Sequence, residues 1–357
     1  MRIGIDAREI VGKVTGVGQY LGGLLREWSA SGATSRHEFL LYVHDAAPTA
    51  PASMTVRLLP GRSGWRWQQL TLPRAAANDH LDVFFAPQYT APSVLNAPLV
   101  VAIHDVSFVA HPEWFGTREG LRLRWLSRHA ARHARAVVTI SDFSRREIVE
   151  HLNVPAAKIH VIPPGVPQRR ASPLRGIGAI EPRLLYAGSI FNRRHVIDLI
   201  DAFAGVARIR PDASLDLVGD NRSYPFEDVE AAIARQNLGG RIRWQRYADD
   251  DTLADLYSRA RAFAFFSEYE GLGLTPLEAL QSGAPPVLYD TDVARESCGA
   301  AALYIPQGDR AAAIRTLERV LFDDSSRARL LAAAPSALAK YDWRRAARDT
   351  LSLLERC

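Results

Sequence analysis

The chain has 357 residues, of which 47% are apolar and 23% charged; this is the balance of an ordinary globular protein and excludes fibrous, collagen-like and disordered classes. At about 150 residues per domain the length predicts two domains. The net charge of +5 comes from a basic set in which only Lys13, Lys158 and Lys340 are not Arg. That surplus is too small to argue for nucleic acid, no nucleic-acid-binding motif accompanies it, and no nucleic-acid partner is expected.

The opening Met-Arg-Ile-Gly-Ile-Asp-Ala-Arg has charges where a signal peptide carries its apolar core, and no apolar run reaches the ~18 residues of a membrane span. A cytoplasmic protein is expected, with peripheral contact at the inner face of the membrane left open. Short β-branched or aromatic runs then alternate with helical patterns along the whole chain, the mark of βαβ units and parallel sheets. Strands are predicted at 2–6, 39–43, 56–59, 82–86, 99–103, 137–140 and 159–162, and helices between them. The stretch from Ile162 to Pro182 is rich in Pro and Gly, cannot continue a helix or central strand, and is the expected boundary. Alternation restarts with strands at 183–187, 214–218, 241–245, 262–266, 286–289 and 302–305. The reading is therefore α/β, with two doubly wound domains at 1–165 and 166–342 and a last helix within 343–357 that can pack back on the first. Ligands of such sheets bind at the carboxyl ends of the strands, which places the expected cleft between the two domains.

The informative loops follow strands. Gly16 and Gly18 precede the helix that carries Tyr20, Leu24 and Leu25, and glycine there allows close backbone approach to a ligand. The dinucleotide fingerprint is incomplete, because position 21 is Leu. The strongest local feature is Phe265-Phe-Ser-Glu-Tyr-Glu-Gly-Leu-Gly-Leu-Thr-Pro-Leu-Glu-Ala-Leu, a buried strand, a glycine loop and a helix start. Thr275 is predicted as N-cap, Pro276 as the first helical residue and Glu278 as the closing member of a capping box. Approached through Gly271 and Gly273, that helix start offers amides and a positive dipole end to phosphate.

Glu270 and Glu278 stand with seven residues between them in the setting Glu-Gly-Leu-Gly-Leu-Thr-Pro-Leu-Glu-Ala-Leu-Gln-Ser-Gly. This resembles the Glu-x7-Glu region of retaining GT-B glycosyltransferases of family 4. Thr15-Gly-Val-Gly, Ile103-His-Asp-Val-Ser-Phe, Thr139-Ile-Ser-Asp-Phe-Ser-Arg, Val161-Ile-Pro-Pro-Gly-Val, Tyr186-Ala-Gly-Ser-Ile-Phe-Asn-Arg-Arg-His and Leu217-Val-Gly-Asp-Asn follow in that family's order. The resemblance implies that Glu278 holds the nucleotide ribose and that Glu270 contacts the transferred sugar. It implies that the backbone of Gly271, Leu272, Gly273, Leu274 and Thr275 binds sugar hydroxyls and phosphate, and that His104 faces the sugar and acceptor. Arg193 and Arg194 match the family's Arg-Lys pair on the diphosphate, with Arg in place of Lys, and Ser189 stands where some members carry a further Arg. Tyr247 lies in the loop implied to face the base. By this resemblance the donor is a nucleotide diphosphate sugar, with a GDP-mannose type favoured, and the acceptor a glycan or a lipid-linked acceptor.

Asp249-Asp-Asp251 and Asp290-Thr-Asp292 imitate metal motifs but read better as helix N-caps, Asp250 or Asp251 in the first and Asp292 in the second; neither a metal nor a cofactor beyond the co-substrate is expected. Cys298 and Cys357 lack a motif that would make either a nucleophile. The stretch 118–135, with Arg118, Arg122, Arg124, Arg128, Arg132, Arg135 and Trp125, is open to two readings, a solvated helix whose Arg stems cover the core or a contact with an anionic membrane. Two rival functions share the scaffold. A nicotinamide-dependent oxidoreductase lacks its full glycine fingerprint and has only Asp45 as an acidic residue after the second strand, and an inactive sugar-nucleotide-binding protein is opposed by Glu270, Glu278 and His104 but kept open by Ser189 in place of Arg.

Overall fold

The computed structural model describes residues 1–12, 14, 16–47, 49–167 and 181–357. Thr15 of the glycine loop and residues 168–180 of the Pro/Gly-rich boundary stretch lie outside the described residues. The chain divides into two compact units, Met1–Gly165 with Tyr341–Cys357, and Val166–Lys340.

The first unit is built on a parallel sheet of seven strands: β1 (Arg2–Asp6), β2 (Glu38–Val43), β3 (Thr55–Leu58), β4 (Val83–Ala86), β5 (Leu99–Ala102), β6 (Ala136–Thr139) and β7 (Ile159–Val161). Their spatial order is β3-β2-β1-β4-β5-β6-β7. The second unit repeats the scheme with β8 (Arg183–Ala187), β9 (Ser214–Val218), β10 (Ile242–Gln245), β11 (Ala262–Phe265), β12 (Pro286–Tyr289) and β13 (Leu303–Ile305), ordered β10-β9-β8-β11-β12-β13. All thirteen strands read from the sequence are present, with ends that differ by at most one residue. They were legible because central strands of a parallel sheet, covered on both faces, must be continuous apolar runs; β4, β5, β6, β11 and β12 are buried at every position.

This strand order decides where chemistry can sit. In each unit the first strand lies beside the fourth, and the connections leave that pair in opposite directions, opening a crevice at their carboxyl ends. In the first unit the crevice lies between the loops after β1 and β4. In the second it lies between the loops after β8 and β11.

The helix Trp343–Leu354 belongs to the first unit. It lies against the helix Gly16–Ala30, where two glycines admit the Trp343 ring. A Cβ on Gly23 would stand 2.4 Å from a ring carbon, and one on Gly165 would stand 2.3 Å away. The buried Trp28 indole donates to the Ala347 carbonyl at 2.8 Å, tying the last helix to the core. A Gly23→Val substitution is therefore expected to unseat this helix and destabilise the first unit by about 2 kcal/mol, as overpacking does. Calorimetry should show the transition of the first unit falling while that of the second holds; an unmoved first transition would contradict this packing.

Candidate active site

The second unit carries the densest constellation, at the junction of β8 and β11. The turn after β8 is possible only with glycine: Gly188 and Gly219 both have φ of 147°, and a Cβ on Gly219 would fall 1.9 Å from the Gly188 carbonyl oxygen. Two motifs 31 positions apart in sequence are thus one object, the touching ends of β8 and β9. Beyond Gly188 the chain runs through Ser189 to a 3-10 turn, Asn192–Arg194, so that Arg193 and Arg194 precede the helix Val196–Ile209 rather than open it.

Arg194 reaches across to the loop after β11. Its Nε donates to Glu270 Oε1 at 2.7 Å, its Nη1 donates to the Ser189 carbonyl at 2.8 Å, and its guanidinium lies over the Phe265 ring. The Ser267 hydroxyl donates to the same carboxylate oxygen at 3.0 Å. Ser189 therefore serves Arg194 through its backbone. Burial alone would raise the Glu270 carboxyl, but Arg194, then Arg193 and the two hydrogen bonds, outweigh it and hold the group below the usual carboxylate range. For Arg194 burial works against the charge, and the facing carboxylate more than restores it. Both side chains are charged, and Arg193, which adds to the positive potential on Glu270, lies over the Phe191 ring.

The helix after this loop, Leu274–Gln281, begins earlier than its sequence indicates. Gly273, at φ 85°, is the N-cap and contributes no side chain. Thr275 is therefore the second helical residue, and the capping box with Glu278 does not form. Glu278 lies inside the helix, 3% exposed. Gly271 and Leu272 are buried, and Gly273, Leu274 and Thr275 are half-buried. The first-turn amides have no partner within the helix, and its dipole is positive at this end, which follows the loop that carries Glu270. Tyr247 stands 64% exposed beyond β10.

In the first unit His104 follows β5. Its Nε2 lies 2.9 Å from the Pro87 carbonyl in the loop after β4. A carbonyl only accepts, so Nε2 carries the hydrogen and Nδ1 keeps its lone pair. Burial pushes the imidazole below its usual value, against the opposing effects of the Pro87 carbonyl and Asp105. Tyr20 packs edge-on to the ring at 4.6 Å. Two hydroxyls of the Thr139-Ile-Ser-Asp-Phe-Ser motif fix the strand end: Thr139 donates to the Ile103 carbonyl and Ser144 to that of His104, each at 2.7 Å. These holders escaped the sequence reading, as did Pro87 and the buried Arg8–Asp6 pair at the end of β1, 2.8 Å apart.

Several expectations are corrected. Gly16 and Gly18 lie inside the helix Gly16–Ala30. A Cβ on Gly18 would meet the Glu9 carbonyl oxygen at 2.2 Å, so its close approach is to the chain's own backbone, whereas Gly16 faces open space. The caps shift by one residue toward the N-terminus: Asp249 accepts from Thr252, and Thr291 accepts from Ala294. Asp250 and Asp292 are instead the first residues of their helices, and Asp290 pairs with Arg295. The basic helix spans Thr117–His133, leaving Arg135 beyond it. Burial raises the Cys298 thiol to about 11, in keeping with an unreactive residue.

Comparison with known proteins adds two family models, Glycosyltransferase Family 4 over residues 14–170 and Glycosyl transferases group 1 over residues 175–336. The O-antigen chain mannosyltransferase B of Escherichia coli is 28% identical over 309 residues, 83% of this chain and 78% of that protein. The alpha-D-kanosaminyltransferase of Streptomyces kanamyceticus is 28% identical over 268 residues, 71% and 69% of the two chains. Among solved structures, Anabaena Alr3699/HepE in complex with UDP and glucose matches with a TM-score of 0.77 at 20% identity, over 100% of each chain, a likeness in fold.

The Arg194–Glu270 pair is testable as a unit. Removing one member of a largely buried pair strands the other, so Arg194→Met and Glu270→Gln should each cost roughly 3 kcal/mol, and the double variant less than their sum. Glu270 lies below its unfolded value in the wild type, so its stabilisation is present above the ordinary carboxylate range and is lost as pH falls through the folded value. In Arg194→Met the stranded carboxylate can take up a proton, so the penalty should be smaller at pH 5 than at pH 8. Additive, pH-independent penalties in denaturant unfolding would contradict the pairing.

Proposed function

The chain belongs to the group 1, family 4 glycosyltransferases with the GT-B architecture, and we propose that it moves a hexose, mannose-type favoured, from a nucleotide diphosphate sugar to an acceptor hydroxyl with retention of anomeric configuration. The observation that carries this reading is the junction of β8 and β11, where Arg193, Arg194, Glu270 and the start of the helix Leu274–Gln281 converge. As the glycosidic phosphate bond breaks, negative charge builds on the departing diphosphate, and fixed cations with a helix dipole stabilise it without reorganising. Arg193 and Arg194 supply the cations, and Arg194 keeps N–H donors beyond the one that it gives to Glu270. Glu270 lies in the loop just before that helix and is assigned to hydroxyls of the sugar. Glu278, buried and free of the capping role, is assigned to the ribose, the amides of Gly271 to Thr275 to sugar hydroxyls and phosphate, and Tyr247 to the base.

His104, neutral and with Nδ1 as its free acceptor, is assigned to accept a hydrogen bond from a sugar or acceptor hydroxyl. The departing phosphate is assigned as the base that takes the acceptor proton. Positive charge at the diphosphate is assigned to protein groups, so transfer is proposed to need neither a metal nor a cofactor beyond the donor. The mannosyl activity and O-antigen setting named for the Escherichia coli relative support a mannose-type donor, GDP-mannose favoured, and a glycan or lipid-linked acceptor in polysaccharide or glycolipid assembly.

The acceptor side has a second physical support. Among the described residues no helix is long and apolar enough to cross a membrane. The helix Thr117–His133 carries five Arg against the single acid Glu119, and buries Leu123, Leu126, Ala130 and Ala131. That leaves Leu121 and Trp125 57% and 60% exposed beside the Arg row. Cations around exposed apolar side chains match an anionic lipid surface, and peripheral contact at the cytoplasmic face is proposed.

Transfer assays with a donor panel test the reading. Glu270→Ala and Arg194→Ala should each lower kcat by 100-fold or more, EDTA should leave the rate unchanged, and the product linkage should keep the donor's anomeric configuration by NMR. Normal transfer by both variants would overturn the assignment. For the membrane contact, wild type should sediment with phosphatidylglycerol vesicles and not with phosphatidylcholine alone, and Trp125→Ser with Arg128→Glu should abolish this; equal sedimentation by the variant would refute it.

A further inference from the structure

His195, the residue after Arg194, has φ of 43° in the left-handed region that asparagine and glycine adopt more readily. Its ring lies between two carboxylates, with Nδ1 3.3 Å from Asp198 Oδ2 and Nε2 3.3 Å from Glu268 Oε2. Nδ1 faces Asp198, and Nε2 faces both Glu268 and, at 3.4 Å, the Gln307 side-chain amide; the imidazolium donates to both carboxylates at once, whereas the neutral ring can donate to only one of them. The other polar and titratable groups around it are Tyr289, packed edge-on at 5.4 Å and donating to Asp198, Gln307, which donates to Glu268, and Glu227 ahead of the helix Val229–Ala234.

Glu268 is also bound through its backbone, its N–H donating to the Arg193 carbonyl at 3.0 Å. Three consecutive residues of one loop are thus stitched to one short segment of another: Arg193 by its carbonyl to Glu268, Arg194 by its side chain to Glu270, and His195 by its ring to Glu268. Nothing else described in this loop carries a charge that changes near neutral pH.

We propose that His195, as an imidazolium held between Asp198 and Glu268, is a positioning residue that clamps the Arg193–Arg194 turn onto the Glu268–Glu270 loop, so that loss of its proton weakens the hold on a nucleoside diphosphate. The direction of titration agrees: burial acts against the charge, but Asp198 and Glu268 outweigh it and raise the imidazole above its usual value. Its contribution to stability is therefore complete below the unfolded value near 6.5 and disappears as pH rises through the folded value. The ligand half of this inference rests on the proposed function; the clamp itself does not.

The experiment has two readouts on wild type, His195→Asn and Glu268→Gln. Asn keeps the left-handed backbone without the charge. The melting temperature of wild type should exceed that of His195→Asn at pH 6 and converge with it by pH 9, while Glu268→Gln should move the convergence to lower pH. Affinity for GDP and UDP, titrated by calorimetry, should fall several-fold in wild type over the same range for whichever nucleotide binds, and stay low and flat in His195→Asn. Parallel stability curves for wild type and His195→Asn would overturn the clamp. A normal stability result with no nucleotide bound at any pH would overturn the donor-site reading alone. Nucleotide binding with the same pH profile in both proteins would refute the link between the clamp and the ligand.

Discussion

The site in the second unit depends on one buried contact, the 2.7 Å ion pair between Arg194 and Glu270. Two charges at the end of a sheet are costly to remove from water, and the cost is offset only when each satisfies the other and the remaining hydrogen bonds are made. Here the Ser189 carbonyl and the Ser267 hydroxyl complete the set, and the Phe265 ring lies beneath the guanidinium. The pair joins the loop after β8 to the loop after β11, two segments 76 positions apart. Everything assigned to the donor is placed relative to that joint.

The same strand order that creates the joint also explains the glycines around it. The connections leave the parallel pair β8 and β11 in opposite directions and open a crevice at the carboxyl ends, but a crevice is useful only if backbone can line it closely. Gly188 and Gly219 let the ends of β8 and β9 touch, and Gly273 turns the chain into the helix Leu274–Gln281 without a side-chain cap of its own. In the first unit it is the loops after the neighbouring strands β4 and β5 that bring Pro87 to His104, and the imidazole tautomer follows from that single carbonyl.

Much of this was legible in the sequence because it is local. Strand runs, the position of the glycine loop and the paired glutamates are properties of contiguous residues, and all thirteen strands followed from them. What was not legible depends on tertiary geometry or on a single dihedral angle. Thr275 has the chemistry of an N-cap, yet the left-handed Gly273 starts the helix before it. Asp250 and Asp251 are as good a pair of caps as Asp249, and Asp292 as good as Thr291; only the path of the chain chooses between them. Gly16 and Gly18 look alike in sequence, but one meets the Glu9 carbonyl and the other meets nothing. The partners of Arg194, His104 and His195 lie far along the chain, and no periodicity announces them.

The central claim is that the buried glutamate in the helix Leu274–Gln281 and the loop before it hold a nucleotide. The most direct measurement is calorimetric titration of wild type and Glu278→Ala with GDP, UDP and the matching free phosphates. The account predicts that one nucleoside diphosphate binds the wild type, and that the variant loses ten-fold or more of that affinity while its fold, followed by circular dichroism, is unchanged. Equal nucleotide affinity in wild type and variant, or no nucleotide binding by the wild type, would contradict it.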